Sequence, residues 1–592
     1  MLTAFYRVYY SCNGNQIVDN KRIAEILAEI GDILEVEGKR SRFEVLAYRK
    51  AAATIETLQE RAEDIYRDKG LEGLMELQGI GKGIAGGIAE LIDNGHMKKY
   101  DSLKRSFPVD FNSLTKIQGL GPKKVYRLYK ELGIRDMEGL KKAVEKHKIR
   151  ELEGFGEKSE LEIGKGLELM ERSGGRMLLG RALPEAEKII ERLRSSGIAD
   201  KVELAGSARR MRESVGDLDI LATSDNPAKI TGLFSSLDEV ERVLLTGPTK
   251  TTALLRIGIT CDLRVVAPDS FGAAMQYFIG NKDHNVKVRE IAIKKGYKLN
   301  EYGLFGRNGR IIAAKDERDV YEKLGMQYMP PEMRENRGEI ELSLKGKIPA
   351  IIELNDIKGD LHTHTNHSDG TYGISEMAEA ARKSGLEYIG ITDHTKNERI
   401  ANGMDDSRFA RHFDEIDKVN EGLEGMRILK GAEIDILKDG SLDLKRKTLE
   451  MMDYRLATVH TNLKMSRDEM TDRIIKALSS GYVDIFGHPT DRLIGRREPI
   501  NMDLERVFDA AQENGVIMEI DSFPDRLDLG DENIIKAKKH GLSFSIDSDS
   551  HSTDHFSVLR YGVGTARRGW LSRNDVVNAL PLDKLVKLFK SF

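Results

Sequence analysis

From residue 360 onward the sequence alternates strand-like and helix-like runs, and nearly every strand-like run ends in histidine, aspartate or glutamate. Lys358-Gly359-Asp360-Leu361-His362-Thr363-His364 closes the first, with His367, Ser368, Asp369 and Gly370 just behind. The later ends are Ile391-Thr392-Asp393-His394, Gly431-Ala432-Glu433-Ile434-Asp435, Thr458-Val459-His460, Phe486-Gly487-His488-Pro489, Met518-Glu519-Ile520-Asp521 and Ile546-Asp547-Ser548-Asp549-Ser550-His551. About seven βα units follow from this pattern. Parallel strands buried by helices gather their carboxyl ends on one rim, so side chains far apart in sequence converge there. Ten of the 13 histidines lie in this half, so what converges is imidazole and carboxylate. One histidine at a strand end is usually a satisfied polar residue. A series of them is a metal centre, and this donor mix favours Zn²⁺, Mn²⁺ or Fe²⁺ over Mg²⁺. Such ions generate hydroxide and clamp a phosphodiester.

The amino-terminal half has a different focus, Gly206-Ser207-Ala208-Arg209-Arg210 followed by Gly216-Asp217-Leu218-Asp219-Ile220-Leu221. Val202 to Ala205 reads as a short buried strand. The Gly-Ser pair after it is a turn whose backbone N–H groups are free to face an anion. Guanidinium groups suit phosphate oxygens. Asp217 and Asp219 alternate along an apolar strand, so both carboxylates share a face. Oxygen ligands this close repel unless a cation lies between them, and Mg²⁺ is the usual one. Asp262, in an apolar run beginning at Leu254, is the candidate third carboxylate on a neighbouring strand.

A third pattern repeats. Leu77-Gln78-Gly79-Ile80-Gly81-Lys82 recurs as Ile117-Gln118-Gly119-Leu120-Gly121-Pro122-Lys123-Lys124 and as Leu152-Glu153-Gly154-Phe155-Gly156-Glu157-Lys158. The spacing marks an internal repeat. Each copy leads into a helix, whose first N–H groups and dipole attract a phosphate. A single copy is equally an αα-corner with a glycine cap; three in series point to a backbone clamp on nucleic acid. Around them, residues 20–96 read as helices. Ile23, Ile26, Leu27, Ile30 and Leu34 keep one helical period, and Phe43, Leu46, Ala47 and Ala51 to Ala53 another.

Composition sets outer limits. A chain of 592 residues exceeds one core. The net charge of −4 argues against a nucleic-acid partner until it is divided: residues 1–350 hold 59 basic and 54 acidic side chains, residues 351–592 hold 34 and 43. The excess of base falls where the glycine repeats are, and the excess of acid where the histidines are. No run of about 18 apolar residues is present, so no membrane partner is expected. Met1 to Asn15 lacks the apolar region of a signal peptide. Two cysteines, Cys12 and Cys261, make no disulfide framework and fit the cytoplasm. Nothing demands an obligate partner, so a monomer is expected.

The stretch from Gly206 to Asp262 resembles the palm of family X DNA polymerases. The likeness continues into a thumb-like segment, Tyr277-Phe278-Ile279-Gly280, Asn281-Lys282-Asp283-His284-Asn285, Arg289 and Leu299-Asn300-Glu301-Tyr302-Gly303-Leu304. It implies that Asp217, Asp219 and Asp262 bind two Mg²⁺ and catalyse nucleotidyl transfer. It also implies that Ser207, Arg210 and Gly216 hold the triphosphate, that Tyr277 and Phe278 line the sugar, and that Asn285 and Arg289 meet the base and template side. Val215 departs from vertebrate members, which carry a second phosphate-binding serine there. The glycine pairs Gly79 and Gly81, Gly119 and Gly121, Gly154 and Gly156 resemble helix-hairpin-helix clamps, with Tyr48 and Arg49 at DNA-contacting positions. The lysines that form a Schiff base in some members fall on Gly83 and Gly87, and Lys82 beside them points elsewhere, so lyase chemistry is not expected. The carboxyl-terminal half resembles the polymerase and histidinol phosphatase (PHP) family. By that likeness a trinuclear site is held by His362, His364, Asp369, His394, Glu433, His460, His488, Asp549 and His551, with two or three Mn²⁺, Zn²⁺ or other transition metals.

The expected architecture is multidomain, α+β and α/β. A helical domain over 1–96 and a fingers-like subdomain over 97–178 carry the hairpins. A nucleotidyltransferase palm spans 179–268, a thumb 269–330 and a linker 331–356. A distorted (β/α)₇ barrel occupies 357–592. The expected activity is gap-filling DNA synthesis in repair on gapped or nicked duplexes with deoxynucleoside triphosphates, joined to a 3′→5′ exonuclease or phosphoesterase. Two other readings stay open: a phosphoesterase whose polymerase half only binds DNA, and a polymerase with a non-catalytic PHP scaffold.

Overall fold

The computed structural model describes residues 20–38, 42–56, 62–77, 79–115, 117, 120–172, 176–247 and 249–589. These fall into two compact units, one comprising the chain up to Arg172 with Gly495–Arg497, the other the rest of the chain. The first is helical. Ile23, Ile26, Leu27, Ile30 and Leu34 lie on the inner face of helix Asn20–Glu37, all essentially buried. Helix Arg42–Glu56 turns Val45, Tyr48, Ala51 and Ile55 inward instead of the expected Phe43 and Leu46, which are 83% and 52% exposed. Apolar residues stand on both sides of this helix, so the period was right and the phase was not. A second cluster joins Phe111, Leu114, Val125, Leu128, Leu140, Phe155 and Ile163.

The second unit opens with a five-stranded sheet. Its strands are β1 (Lys201–Ala205), β2 (Asp217–Thr223), β3 (Val240–Thr246), β4 (Lys250–Leu255) and β5 (Thr260–Val266), in the order β1-β2-β5-β4-β3. Only β2 and β5 run parallel, and their register sets Asp219 beside Asp262. Helices Leu179–Ser195 and Pro227–Ser235 bring Ile189, Leu193, Ile230 and Phe234 to the sheet's apolar core, in a cluster with Leu218, Ile220 and Leu263. Helices Phe271–Ile279 and Lys282–Lys294 and a small antiparallel sheet follow.

Of residues 331–356, expected to be a polar linker, the stretch 331–343 is largely packed, while 344–356 is mostly exposed apart from Ile352. Arg334 is fully buried, its Nη1 2.5 Å from Glu317 and its Nε donating to the Met329 carbonyl. Glu339 is also fully buried, 2.8 Å from His284 Nδ1. In the packed stretch, the polarity that suggested a linker belongs to buried groups that have found partners.

The strands of the carboxyl-terminal half are β6 (Gly359–Thr363), β7 (Tyr388–Ile391), β8 (Arg427–Lys430), β9 (Glu433–Asp435), β10 (Leu456–Thr458), β11 (Ile485–Phe486), β12 (Ile517–Asp521) and β13 (Phe544–Asp547), all pairing in parallel. The strand expected around Glu433 is broken at Gly431-Ala432 into β8 and β9, and a bridge between His394 and Glu433 spans the break. A parallel bridge from Thr363 to Ser550 joins the first strand to the segment after the last. Every residue of β6, β7, β9, β10, β11, β12 and β13 is buried, as strands covered on both faces require.

Candidate functional site

Two centres lie in the second unit. The first is a cleft of about 430 Å³ lined by Ser207, Arg210, Gly216, Asp217, Asp219, Tyr277, Phe278, Asn285 and Arg289. All of these were expected, and Asp262 stands beside Asp219 on β5. The Gly-Ser turn is a one-turn helix, Gly206–Arg209. Gly206 has φ +64°, and a Cβ there would overlap the Asp219 carboxylate, so only glycine brings this backbone against the carboxylates. Burial, then Asp217, then Asp262 push Asp219 up to about 6. Three carboxylates with this mutual repulsion fit a cation.

Four basic groups escaped the sequence reading. Arg176 Nε lies 3.2 Å from the Ser214 hydroxyl, and its guanidinium lines the cleft where Val215 replaces the expected serine. Val215 itself is buried, paired with Met177. Lys282 also lines the cleft. Lys250 Nζ lies 2.8 Å from Asp262, which also accepts the Thr252 hydroxyl at 2.5 Å. Arg264 sits 4.7 Å over the Phe278 ring. Only cross-strand register reveals Lys250, Thr252 and Arg264. Asn285 is held by Gln276 and by the Tyr277 carbonyl, at 2.8 and 2.7 Å.

The second centre gathers all nine expected ligands at the carboxyl ends of the parallel strands. Glu433 is its hub, 2.8 Å from His394 Nδ1, 3.0 Å from His460 Nε2, 2.9 Å from His488 Nε2 and 3.4 to 3.5 Å from His362 and His364. Asp549 is 3.1 Å from His364 Nε2, and Asp369 is 3.3 Å from His551 and 3.6 Å from His394. Three groups made wholly of these nine residues have donor atoms close enough to share an ion: His364, Asp369, His394 and His551; His362, His364 and Asp549; His394, Glu433 and His460. His488 and Asp549 hold left-handed backbone, with φ of 24° and 51°, conformations that non-glycine residues keep only where the surroundings demand it.

Buried ring nitrogens of His362, His364 and His394, and Glu433 Oε2, have no hydrogen-bond partner. Orphaned lone pairs facing one space fit metal ions. Burial opposes charge on Glu433, but His394, His460 and His362 hold it well below the usual carboxylate range. Glu519, left without a role by the sequence, accepts His362 Nδ1–H at 2.6 Å and the His488 amide. Asp435 accepts His460 Nδ1–H at 2.8 Å. These carboxylates fix which nitrogen each imidazole turns inward. His367 instead faces Glu415, and Asp521 pairs with Arg526.

In the first unit, Gly79 and Gly154 have φ +76° and +78°, while Gly81 and Gly121 cap helices Lys82–Asn94 and Pro122–Leu132. A Cβ on Gly81, Gly121 or Gly156 would meet nothing, so these turns are open to close approach. Gly119 lies outside the described residues. Tyr48 is buried beneath Lys99, and Arg49, 41% exposed, is paired with Asp32 and Glu35. Tyr48 sits on the inward phase that the sequence misplaced. Gly83 and Gly87 start the helix after Gly81, with no lysine in their place.

A carboxylate triad in a nucleotidyltransferase-like sheet, joined to a histidine-rich ring of parallel strands, defines a two-centre, metal-dependent enzyme of phosphate esters. Four family profiles match: "Helix-hairpin-helix domain" over residues 18–97, "SAM-like Helix-hairpin-helix tandem" over 111–167, "DNA polymerase beta thumb" over 274–335 and "PHP domain" over 360–522. The DNA polymerase/3′-5′ exonuclease PolX of Bacillus subtilis (strain 168) is 38% identical over 573 residues, 96% of this chain and 99% of that protein. Proteins named "probable phosphatase" from Thermoanaerobacter sp. (strain X514) and Acetivibrio thermocellus are 35% and 33% identical, each across 34% of this chain and 81% and 82% of their own lengths. The chain belongs to the family X DNA polymerases that carry a carboxyl-terminal PHP domain.

Proposed function

We propose that this protein is a DNA-directed DNA polymerase that fills short gaps in repair and trims 3′ ends with its PHP centre. The observation that carries the reading is the register of Asp219 with Asp262, beside Asp217, in a cleft that also presents Ser207 and Arg210. The bound substrates are gapped or nicked duplex DNA and deoxynucleoside triphosphates. The hairpins at Gly79 and Gly81, Gly119 and Gly121, Gly154 and Gly156 grip the DNA backbone without reading bases. In a cytoplasmic monomer this division of labour needs no second chain.

In the palm, Ser207, Arg210 and Arg176 hold the triphosphate by charge-assisted hydrogen bonds. Tyr277 and Phe278 line the sugar, and Asn285 and Arg289 face the base and template. Asp217, Asp219 and Asp262 hold Mg²⁺, and alignment of the primer end against the bound nucleotide lowers the barrier. In the PHP centre His362, His364, Asp369, His394, Glu433, His460, His488, Asp549 and His551 hold two or three ions of the Mn²⁺ or Zn²⁺ type. When bound, metals at the two centres supply Lewis-acid activation of an attacking oxygen and neutralise charge on phosphate. Glu519 and Asp435 keep the imidazoles aimed inward.

The test is a 5′-labelled primer in a one-nucleotide gap, with Mg²⁺ or Mn²⁺, with and without deoxynucleotides. Asp217→Ala is expected to abolish extension and leave shortening intact. His362→Ala/His364→Ala is expected to do the reverse. Extension that survives Asp217→Ala removes the palm assignment. Shortening that survives the histidine pair removes the PHP assignment.

A further inference from the structure

Arg210 is not free in its cleft. Its Nε lies 3.1 Å from Glu335 Oε1, and its Nη1 donates to the Ile279 carbonyl. The Glu335 side chain is 8% exposed and shared, with Arg212 Nη1 3.9 Å from its Oε2. Its Oε1 also accepts Arg568 Nη1 at 2.8 Å, and Oε2 accepts Asn281 Nδ2 at 2.8 Å. Arg568 ends helix Leu559–Arg568, which follows the last strand of the histidine-rich ring, and is 4% exposed. It also donates to the Arg210 backbone carbonyl at 2.9 Å, and its Nη2 is fixed 2.6 Å from Asp531 Oδ2, the same oxygen that Arg337 meets at 3.0 Å. The neighbouring pair repeats the plan. Arg209 and Arg567 share Glu332, at 3.5 and 3.1 Å. Met211, next to Arg210, packs on Gly564 of the same helix, where a Cβ would collide with it.

We infer that Arg568, a residue of the PHP half, is a positioning residue for the polymerase centre and sets its affinity for the nucleotide triphosphate. This rests on the reading of Arg210 as a triphosphate ligand. To reach phosphate oxygens, Arg210 must loosen its hold on Glu335. A buried carboxylate that loses its only cation is strongly destabilised, whereas one that keeps a second cation is not. Arg568, anchored by Asp531, is that second cation. Without it, the one close buried cation left to Glu335 is Arg210, since Arg212 stands 3.9 Å away and is 38% exposed, and the Arg210 guanidinium is withheld from the nucleotide.

The experiment uses the full-length enzyme in one-nucleotide gap filling, with KM for the deoxynucleotide and kcat measured separately. Arg568→Gln is expected to raise KM about tenfold or more, with a smaller change in kcat and unchanged 3′ shortening. Arg568→Lys, which keeps the charge, is expected to recover part of the loss. The deciding variant is Arg568→Gln/Glu335→Gln. With the competing charge removed, Arg210 is released and KM returns toward the parent value. A merely structural role for Arg568 predicts the opposite, a double variant that is worse and melts lower. A KM within twofold of the parent for Arg568→Gln overturns the inference, as does a double variant with no recovery. Arg210→Ala separates the two claims. If it leaves KM unchanged, the triphosphate reading falls and this inference with it. If it raises KM while Arg568→Gln does not, only the inference falls.

Discussion

Asp219 carries a charge that its surroundings disfavour. Burial, then Asp217 and Asp262, raise it to about 6, so the folded chain binds this proton more tightly than the unfolded chain. The stability this proton brings is complete below the ordinary aspartate range and is lost as pH rises through about 6. At pH 7.5 in chelator the charge is therefore a net cost. Asp219→Asn is expected to stabilise the protein there by on the order of 1 kcal/mol, with the gain closing at pH 4. Scanning calorimetry at both values checks it, and a variant no more stable than the parent at pH 7.5 would contradict the account. The same substitution is expected to abolish extension. At this scale the sequence disclosed what depends on spacing along one strand or turn, as with Ser207, Asp217 and Asp219. Glu335, Lys250 and Arg176 were invisible because their relevance comes from register and packing between segments. Tyr48 shows the reverse: its type fits a DNA contact, and only the structure shows that its face of the helix is buried.

Elements explain why the PHP centre was legible almost whole. Parallel strands fix where their carboxyl ends lie, so a histidine or carboxylate at such an end is placed by topology alone. The residues that support those ligands are placed by side-chain direction within the ring, which alternation does not reveal. Glu519, on β12, is the clearest case. It is fully buried and takes hydrogen bonds from the His362 ring and the His488 amide. Glu519→Gln keeps the shape but removes the charge that holds the His362 Nδ1 proton. Metal retention by the PHP centre and 3′ shortening are expected to fall ten- to a hundredfold, with extension unchanged. Metal analysis after dialysis, beside both activities, decides it; full retention would mean that Glu519 is only packing. The break between β8 and β9 and the burial within residues 331–343 lay beyond the sequence for a related reason. Both depend on what the segment meets, such as Glu317 for Arg334 and His284 for Glu339.

At the scale of the molecule, the polymerase sheet and the PHP strands share one apolar core. Leu527 and Tyr561, from the ring half, are buried in the same apolar cluster as Leu218, Ile220 and Leu263 of the sheet. A Cβ at Gly180 would collide with Pro524, and Arg560 pairs with Glu187 at 2.9 Å. The sequence placed the two centres in separate domains and had no means to join them, because each contact links residues hundreds of positions apart. The consequence is thermodynamic. Ions that bind the folded PHP centre stabilise whatever unfolds with it. Stripping the PHP metals with a strong chelator, then returning Mg²⁺ alone, is therefore expected to lower the temperature at which extension is lost to heat, although no palm ligand has changed. The loss should track the melting of the second unit, and adding back Mn²⁺ should restore it. Heat-inactivation curves for extension and for shortening, with and without the chelator step, make the comparison. If shortening disappears while the extension curve does not move, the shared core does not couple the two centres, and each melts on its own account.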